Sequence, residues 1–488
     1  MTLARRCGAH GPAREAACAA VLQQVQNAGI EQVRVAWADL HGSHRGKTVV
    51  CTADALTNAL QQGVGMVSTL LLKDTADRTA FQIFEPGALA ALPGFGAANN
   101  LLLLPDPCSF AVLPWAPRTG WLRADTFWED GSGVEVDPRR VLQRALAALA
   151  EAGYGLKCGL EIEFHIYRIT DDGLAVDAAG WPAGPPTLRH THPGYKLLAE
   201  DHADLLDDAL NIVRGTALAL GLPLRSLEIE FGPSQVEAVF DATDALTAAD
   251  QLLQFRNAMR QALRRAGLHA SFVCKPPLPH SMASGWHLHQ SLVDRGGHNV
   301  MARTAAADNA PGARQWLSDA GAQWLAGLLA HAPALAAVCA PSIPAYSRFR
   351  ASLMAPQAAV WGRDNRGAML RVIGGPGDAA TRIENRIGEP MANPYLAIAA
   401  QVWAGLHGLQ QALQEPPESG APYDTAHTLL PASLDEALQA LAQDAVLQQG
   451  LGTPMCQVYQ AVKQQELARH AQAEDKALWE RCEYFGRY

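Results

Sequence analysis

The pentapeptide Leu-Glu-Ile-Glu-Phe occurs twice, at 160–164 and at 227–231. Large apolar residues alternate with glutamate in both copies. A period of two is the signature of a β-strand with one face in a core. Leu160, Ile162 and Phe164 then face one way, and Glu161, Glu163 and His165 the other. The second copy places Glu228 and Glu230 side by side, and Glu237 follows beyond a Gly232-Pro233 break. Two more segments share the pattern. Segment 285–292 sets His287 and His289 on one face beside Gly285, and 381–387 alternates Arg382, Glu384 and Arg386. Strands of this kind require a sheet with one apolar face and one face of acids, imidazoles and guanidinium groups.

A half-exposed sheet with a wet polar face accounts for any single Glu-x-Glu pair. It accounts poorly for the set. A solvated face mixes Lys, Thr, Ser and Glu, whereas these positions hold almost only Glu, His and Arg. Carboxylates crowded together repel, and they stay ionised only beside cations. Oxygen ligands with an occasional imidazole suit Mg2+ or Mn2+. Nearby arginines suit phosphate through paired hydrogen bonds. Metal, arginine and carboxylate together describe a phosphoryl-transfer site. No Walker A glycine loop is present, so a nucleotide would be held in another way.

The 488 residues are more than one small core needs and predict two domains, or one large α/β domain with an appendage. A net charge of −9 argues against a nucleic-acid partner. The basic pairs Arg139-Arg140 and Arg264-Arg265 read as surface charge on helices. The nine cysteines include no C-x-x-C pair, which fits reduced thiols in the cytoplasm. Neither an apolar leader nor an apolar run of membrane length occurs, so no membrane association is expected.

Helices are expected over 13–28, 54–63, 138–153, 247–266, 315–335 and 393–409, with mostly helix after 432. Strands are expected over 33–42, 100–107, 159–169, 225–231, 270–275, 285–292, 368–374 and 381–387. The stretch 113–128, with its prolines, tryptophans and glycine, reads as the boundary between the units.

Taken in order, "GLEIEF", "EFGPSQVE", "SGWHLHQS", "DNRGAMLRV" and "RIENR" followed by "ANPYLAIAAQVWAGLHGL" resemble the glutamine synthetase superfamily. The likeness runs over roughly 30–480, and the "FGPSQVE" and "WGRDNRGAMLRV" forms are most similar to its γ-glutamyl-amine ligase branch. The resemblance implies an α+β fold, with a small N-terminal β-grasp domain (1–117) and a large catalytic domain (118–488). It implies Glu163, Glu230 and Glu237 as ligands of one metal, and Glu161, His287 and Glu384 as ligands of a second beside ATP. It gives His289, Ser291, Arg371 and Arg382 to the nucleotide, Arg348 and Arg386 to L-glutamate, and catalytic roles to Arg366 and Glu230. It further implies a homo-oligomeric ring, commonly a dodecamer, with active sites between subunits. The reaction implied is ATP-dependent formation of a γ-glutamyl phosphate, followed by attack of an amine.

The sequence departs from ammonia-using members at the amine side. The family's flap glutamate falls in the stretch 348–356, where Met354 stands in its place. The family's N-terminal aspartate falls near 63–72, which carries Met66 and no acid. Without those carboxylates the pocket disfavours a charged ammonium and favours a neutral, apolar amine such as aniline. Glu228 could serve a cationic amine, so a γ-glutamylpolyamine or alkylamine synthetase is the alternative. A non-catalytic superfamily member is the alternative of another class.

Overall fold

The computed structural model describes all residues except 53, 305–311 and 352–353; the side chains of 178 and 351 also lie outside the description. Part of the stretch 348–356 therefore falls outside the described residues. Two sheets organise the chain. The first is six-stranded: β1 (Gln32–Ala38), β2 (His44–Val50), β3 (Val64–Val67), β4 (Asn100–Pro105), β5 (Ala111–Val112) and β6 (Thr119–Phe127). The second is nine-stranded: β7 (Gly155–Asp171), β8 (Thr187–Arg189), β9 (Leu224–Ile229), β10 (Gln235–Asp244), β11 (Leu268–Ser271), β12 (Trp286–Val293), β13 (Trp361–Arg363), β14 (Leu370–Ile373) and β15 (Arg382–Gly388).

The stretch 113–128 is no linker. Its Pro-rich start is a turn, but Thr119–Phe127 forms β6, which pairs parallel with β1 and antiparallel with β4. A division at 117/118 would cut β6 from the sheet it centres. From Leu122 onward burial along β6 alternates as a strand requires: Leu122, Ala124 and Thr126 are buried, and Arg123 and Asp125 are spent in ion pairs.

The second sheet runs β13-β14-β15-β12-β7-β10-β9, with β8 and β11 on the far part of β7. Its apolar face is the one the alternation demanded. Leu160, Ile162 and Phe164 are buried, and Phe164 stacks on Phe272 and meets Phe255 of the helix Ala245–Arg265 edge-on. Burying side chains of this size contributes about 1.5–3 kcal/mol each. The helix Pro138–Glu151 starts where Asp137 accepts the Arg139 backbone N–H, and Pro138 occupies the first turn. The expected helix over 315–335 is two helices, Asp319–Ala330 and Ala332–Cys339, bent by 75°. Pro333 lacks the N–H that would continue the first helix. Among the described residues no single helix is long and apolar enough to cross a membrane.

Arg139 is not surface charge. Its guanidinium holds both oxygens of Asp250 at 2.9 and 3.0 Å and Asp125 at 2.8 Å, with the side chain 11% exposed. Arg123 of β6 reaches the same Asp250 at 2.8 Å, and the Tyr395 hydroxyl donates to it at 2.6 Å. Arg256, on the helix that carries Asp250, donates to the carbonyls of Gly42, Pro390 and Ala392. These contacts join the first sheet, the helices and the end of β15.

Candidate active site

The polar residues of the second sheet converge because the register aligns them. Glu228 of β9 lies opposite Glu237 of β10, which lies opposite Glu163 of β7. Glu161 lies opposite His287 of β12, and His289 lies opposite Glu384 of β15, itself opposite Arg371 of β14. A row of functional side chains thus crosses six neighbouring strands.

His287 stands in the middle. Its Nδ1 is 3.3 Å from Glu161, 3.8 Å from Glu384 and 3.9 Å from Glu237, and its Nε2 is 3.7 Å from Glu163. Gly285 makes room for this crowding: a Cβ there would lie 2.6 Å from Arg348 Nη2 and 2.8 Å from His287 Nε2. Two triads have ligand atoms all within 4.8 Å of one another, Glu161–His287–Glu384 and Glu163–Glu237–His287. The first is the set implied for the second metal. In the other, His287 stands where Glu230 was expected. Glu230 lies in the turn just after β9, where its carboxylate accepts the Phe231 N–H at 3.2 Å.

The electrostatics match a cation cage. Burial and the Glu230 charge push Glu163 up to about 8. Burial, with Glu163 and Glu161 nearby, pushes Glu237 up to about 10. Burial also raises Glu230. One oxygen of Glu237 is buried without a hydrogen-bond partner. Carboxyls in this condition bind either protons or a cation, and a divalent ion among them would reverse both shifts. His287 is lowered to about 4 by burial and by Arg386, so it is neutral at pH 7 and its ring nitrogens suit a metal. Burial would raise Glu161 and Glu384 too, but hydrogen bonds from His287 and His289 outweigh it at Glu161, and Arg386 does so at Glu384. The donor set fits one or more hard divalent cations.

The arginines take distinct places. Arg371 donates to Glu384 at 3.0 Å and is paired with Asp364. Arg386 pairs with Glu384 and donates to the Met354 carbonyl at 3.3 Å. Arg348 is buried, donating to the Arg386 and Gly388 carbonyls at 3.1 Å each. Arg382 donates to His289 Nδ1 at 3.0 Å, and His289 Nε2 lies 2.9 Å from Glu161 Oε1. Arg366 is exposed in the turn between β13 and β14.

A cavity of about 630 Å3 opens beside the row, lined by Glu161, His289, Ser291 and Arg382. The Ser291 hydroxyl donates to the Thr381 carbonyl at 3.1 Å on its wall. Lys157, Arg225 and Asn299 line it too and escaped the sequence reading. Lys157 had a signal, standing on the LEIEF strand an even number of residues before Glu161. Asp364 and Gln235, the latter donating to Glu163 at 3.0 Å, were also missed. Another cavity, of about 550 Å3, lies among N-terminal residues including Arg5, His10 and Arg14, away from this row.

The residues expected at the amine lie on three separate elements. Met66 is buried in β3 of the first sheet, opposite Leu101. Met354 is 52% exposed, in a left-handed conformation with φ 66°. Glu228 borders the row, accepting from Ser226 at 3.0 Å.

A strand-borne carboxylate cage with arginines beside a cavity of this size is the equipment of a phosphoryl-transfer enzyme. Residues 135–484 match the glutamine synthetase catalytic domain, and the chain belongs to that family. It is 36% identical to a γ-glutamylanilide synthase of Acinetobacter sp over 482 residues, 95% of each chain. It is 31% identical to a glutamate–isopropylamine ligase of Pseudomonas sp, covering 85% of this chain and 86% of that one. A γ-glutamylethanolamide synthetase of Streptomyces coelicolor is 30% identical, with 90% and 89% covered. Solved structures of GmaS superpose with TM-scores of 0.74 for an ADP complex and 0.75 without ligand. They share 27% and 28% identity and cover 94% of this chain and 98% of theirs.

Proposed function

We propose that this chain joins the γ-carboxylate of L-glutamate to an apolar amine, best an arylamine such as aniline, at the expense of ATP. Joining glutamate to an amine is what the relatives above are named for; the choice of amine is our own reading. The observation that carries it is the acceptor side. Met354 stands where a cation-binding acid is expected, and the similar γ-glutamylanilide synthase points the same way.

The residues divide the work. His289, Ser291, Lys157 and Arg382 border the nucleotide cavity, and Arg371 and Arg386 flank Glu384 where the γ-phosphate would arrive. Mg2+ or Mn2+, when bound by Glu161, Glu163, Glu237, His287 and Glu384, would neutralise charge on the phosphoryl oxygens. Arg348 and Arg386 hold glutamate, and Arg366 reaches the transferred group from its turn. Glutamate's γ-carboxylate takes the phosphoryl group and ADP leaves. The amine nitrogen then forms the C–N bond, the C–O bond to phosphate breaks, and the amine gives up a proton. Glu230, raised by burial, takes that proton. An arylamine is neutral at pH 7 and attacks without first losing a proton, so it needs no anionic pocket.

All nine cysteines are free, in keeping with a cytoplasmic enzyme. We assign the N-terminal unit a β-grasp role beside the site of a neighbouring subunit in a homo-oligomeric ring; Met66 itself is packed in its own chain's core. The test is phosphate release with ATP, Mg2+ and L-glutamate across ammonia, ethylamine, isopropylamine, putrescine, spermidine, ethanolamine and aniline, with products confirmed by mass. Turnover of aniline over ammonia is expected. Turnover chiefly of diamines would establish the polyamine alternative, and no turnover or nucleotide binding would establish a non-catalytic member.

A further inference from the structure

Gln235 is 2% exposed and its side-chain amide is fully occupied. The Nε2 group lies 3.0 Å from Glu163 Oε2, 3.1 Å from the Ala283 carbonyl and 3.0 Å from Ser284 Oγ. Its Oε1 accepts the Gly232 N–H at 2.9 Å. Gly232 is obligatory for this, because a Cβ there would stand 2.4 Å from Gln235 Oε1. The backbone is pinned as well: the Gln235 carbonyl accepts the Glu230 N–H at 3.0 Å.

Glu163 Oε2 therefore accepts from two neutral donors, the Gln235 amide and the Gly285 N–H at 3.0 Å. Its other oxygen, Oε1, is the one that faces His287. We infer that Gln235 is a positioning residue: it reserves Oε2 of Glu163 for protein donors, so that Glu163 offers a single oxygen to the cation. It also links segment 283–285 to that carboxylate. The inference rests on the metal reading of the site.

The residue type follows from the surroundings. Gln235 shares the β10 face of Glu237, in a site that already holds Glu161, Glu163, Glu230 and Glu384. Another acid would add repulsion, and a lysine would neutralise Glu163 and compete with the cation. A neutral amide supplies directed N–H groups without altering the charge. Its reach is also set: asparagine, one methylene shorter, would withdraw the donor from Glu163.

The test is Mn2+ titration of the unliganded full-length chain, with free Mn2+ read by electron paramagnetic resonance, beside metal-free melting. The wild type is expected to take up Mn2+ in two classes. Gln235→Met keeps length and volume without the amide, and Gln235→Asn keeps the amide but not its reach. Both are expected to weaken one class by about 10- to 100-fold and to leave the other nearly unchanged. Either variant folded to the wild-type melting temperature with both classes at wild-type affinity would overturn the inference. Equal weakening of both classes would also overturn it, because the role would then be general support of the turn. A wild-type chain that takes up no Mn2+ would instead sink the metal reading and this inference with it.

Discussion

Glu384 is fully buried and held by Arg371 and Arg386, whereas Met354, whose carbonyl Arg386 also touches, is 52% exposed. The first belongs to the floor of the site and the second to what we propose is its acceptor side. On the floor, strand register fixes each group and neighbouring charges fix its protonation. On the acceptor side, turns and exposed residues carry the groups, and Met66 lies in another sheet altogether. The contrast separates what is common to the family's phosphoryl chemistry from what selects the amine. Changes on the floor should therefore cost the reaction, and changes at the rim should redirect it.

The largest effect is expected from His287→Ala, which removes the group shared by both triads. Phosphoryl transfer should fall on the order of 10³-fold with any amine, read as amine-dependent phosphate release. A fall confined to some amines would blur the floor and the rim.

Proton competition comes next. Glu163 at about 8 and Glu237 at about 10 lie above the ordinary carboxyl value, so the metal-free fold holds more protons than the unfolded chain. Their contribution to stability is complete below the ordinary carboxyl range and is lost as pH rises through about 8 and then about 10. Metal binding at the triad that holds both needs both protons gone, so Mn2+ affinity should rise by up to about a hundredfold per pH unit from pH 6 to 8. Titration calorimetry in buffers of different ionisation enthalpy would count the protons released. A pH-independent affinity would show that these carboxyls are not ligands.

Met354→Glu tests the rim. Restoring an acid should shift the kcat/KM ratio of ammonia to aniline upward by about tenfold with little change in Mn2+ affinity. The smallest effect is expected from Glu228→Gln: aniline turnover within about twofold of wild type, but selective loss of any turnover of aliphatic diamines.

The same contrast explains what the sequence disclosed. Period-two alternation exposes a strand face without any knowledge of its partners, so Glu161, Glu163, His287 and Glu384 could be read directly. Gln235 shares that alternation with Glu237, but an uncharged amide looks like any polar strand residue until its partners on other elements are known. Arg139 looked like surface charge because Asp125 and Asp250 are remote in sequence. β6 was hidden because Trp115, Pro117 and Gly120 read as loop composition, while the pairing of Thr119–Phe127 with β1 and β4 overrides it. Met354 could be named as a departure, but its surroundings depend on turn geometry that no periodicity encodes.

The Asp250 junction bears on how the enzyme adjusts to substrate. With Arg123, Arg139 and Tyr395 all fastened to one carboxylate, and Arg256 clasping Gly42 to Pro390 and Ala392, the two sheets are tied together through the side chains of one helix. Adjustment to substrate would then fall to exposed positions such as Arg366 and Met354 rather than to the joint between the sheets.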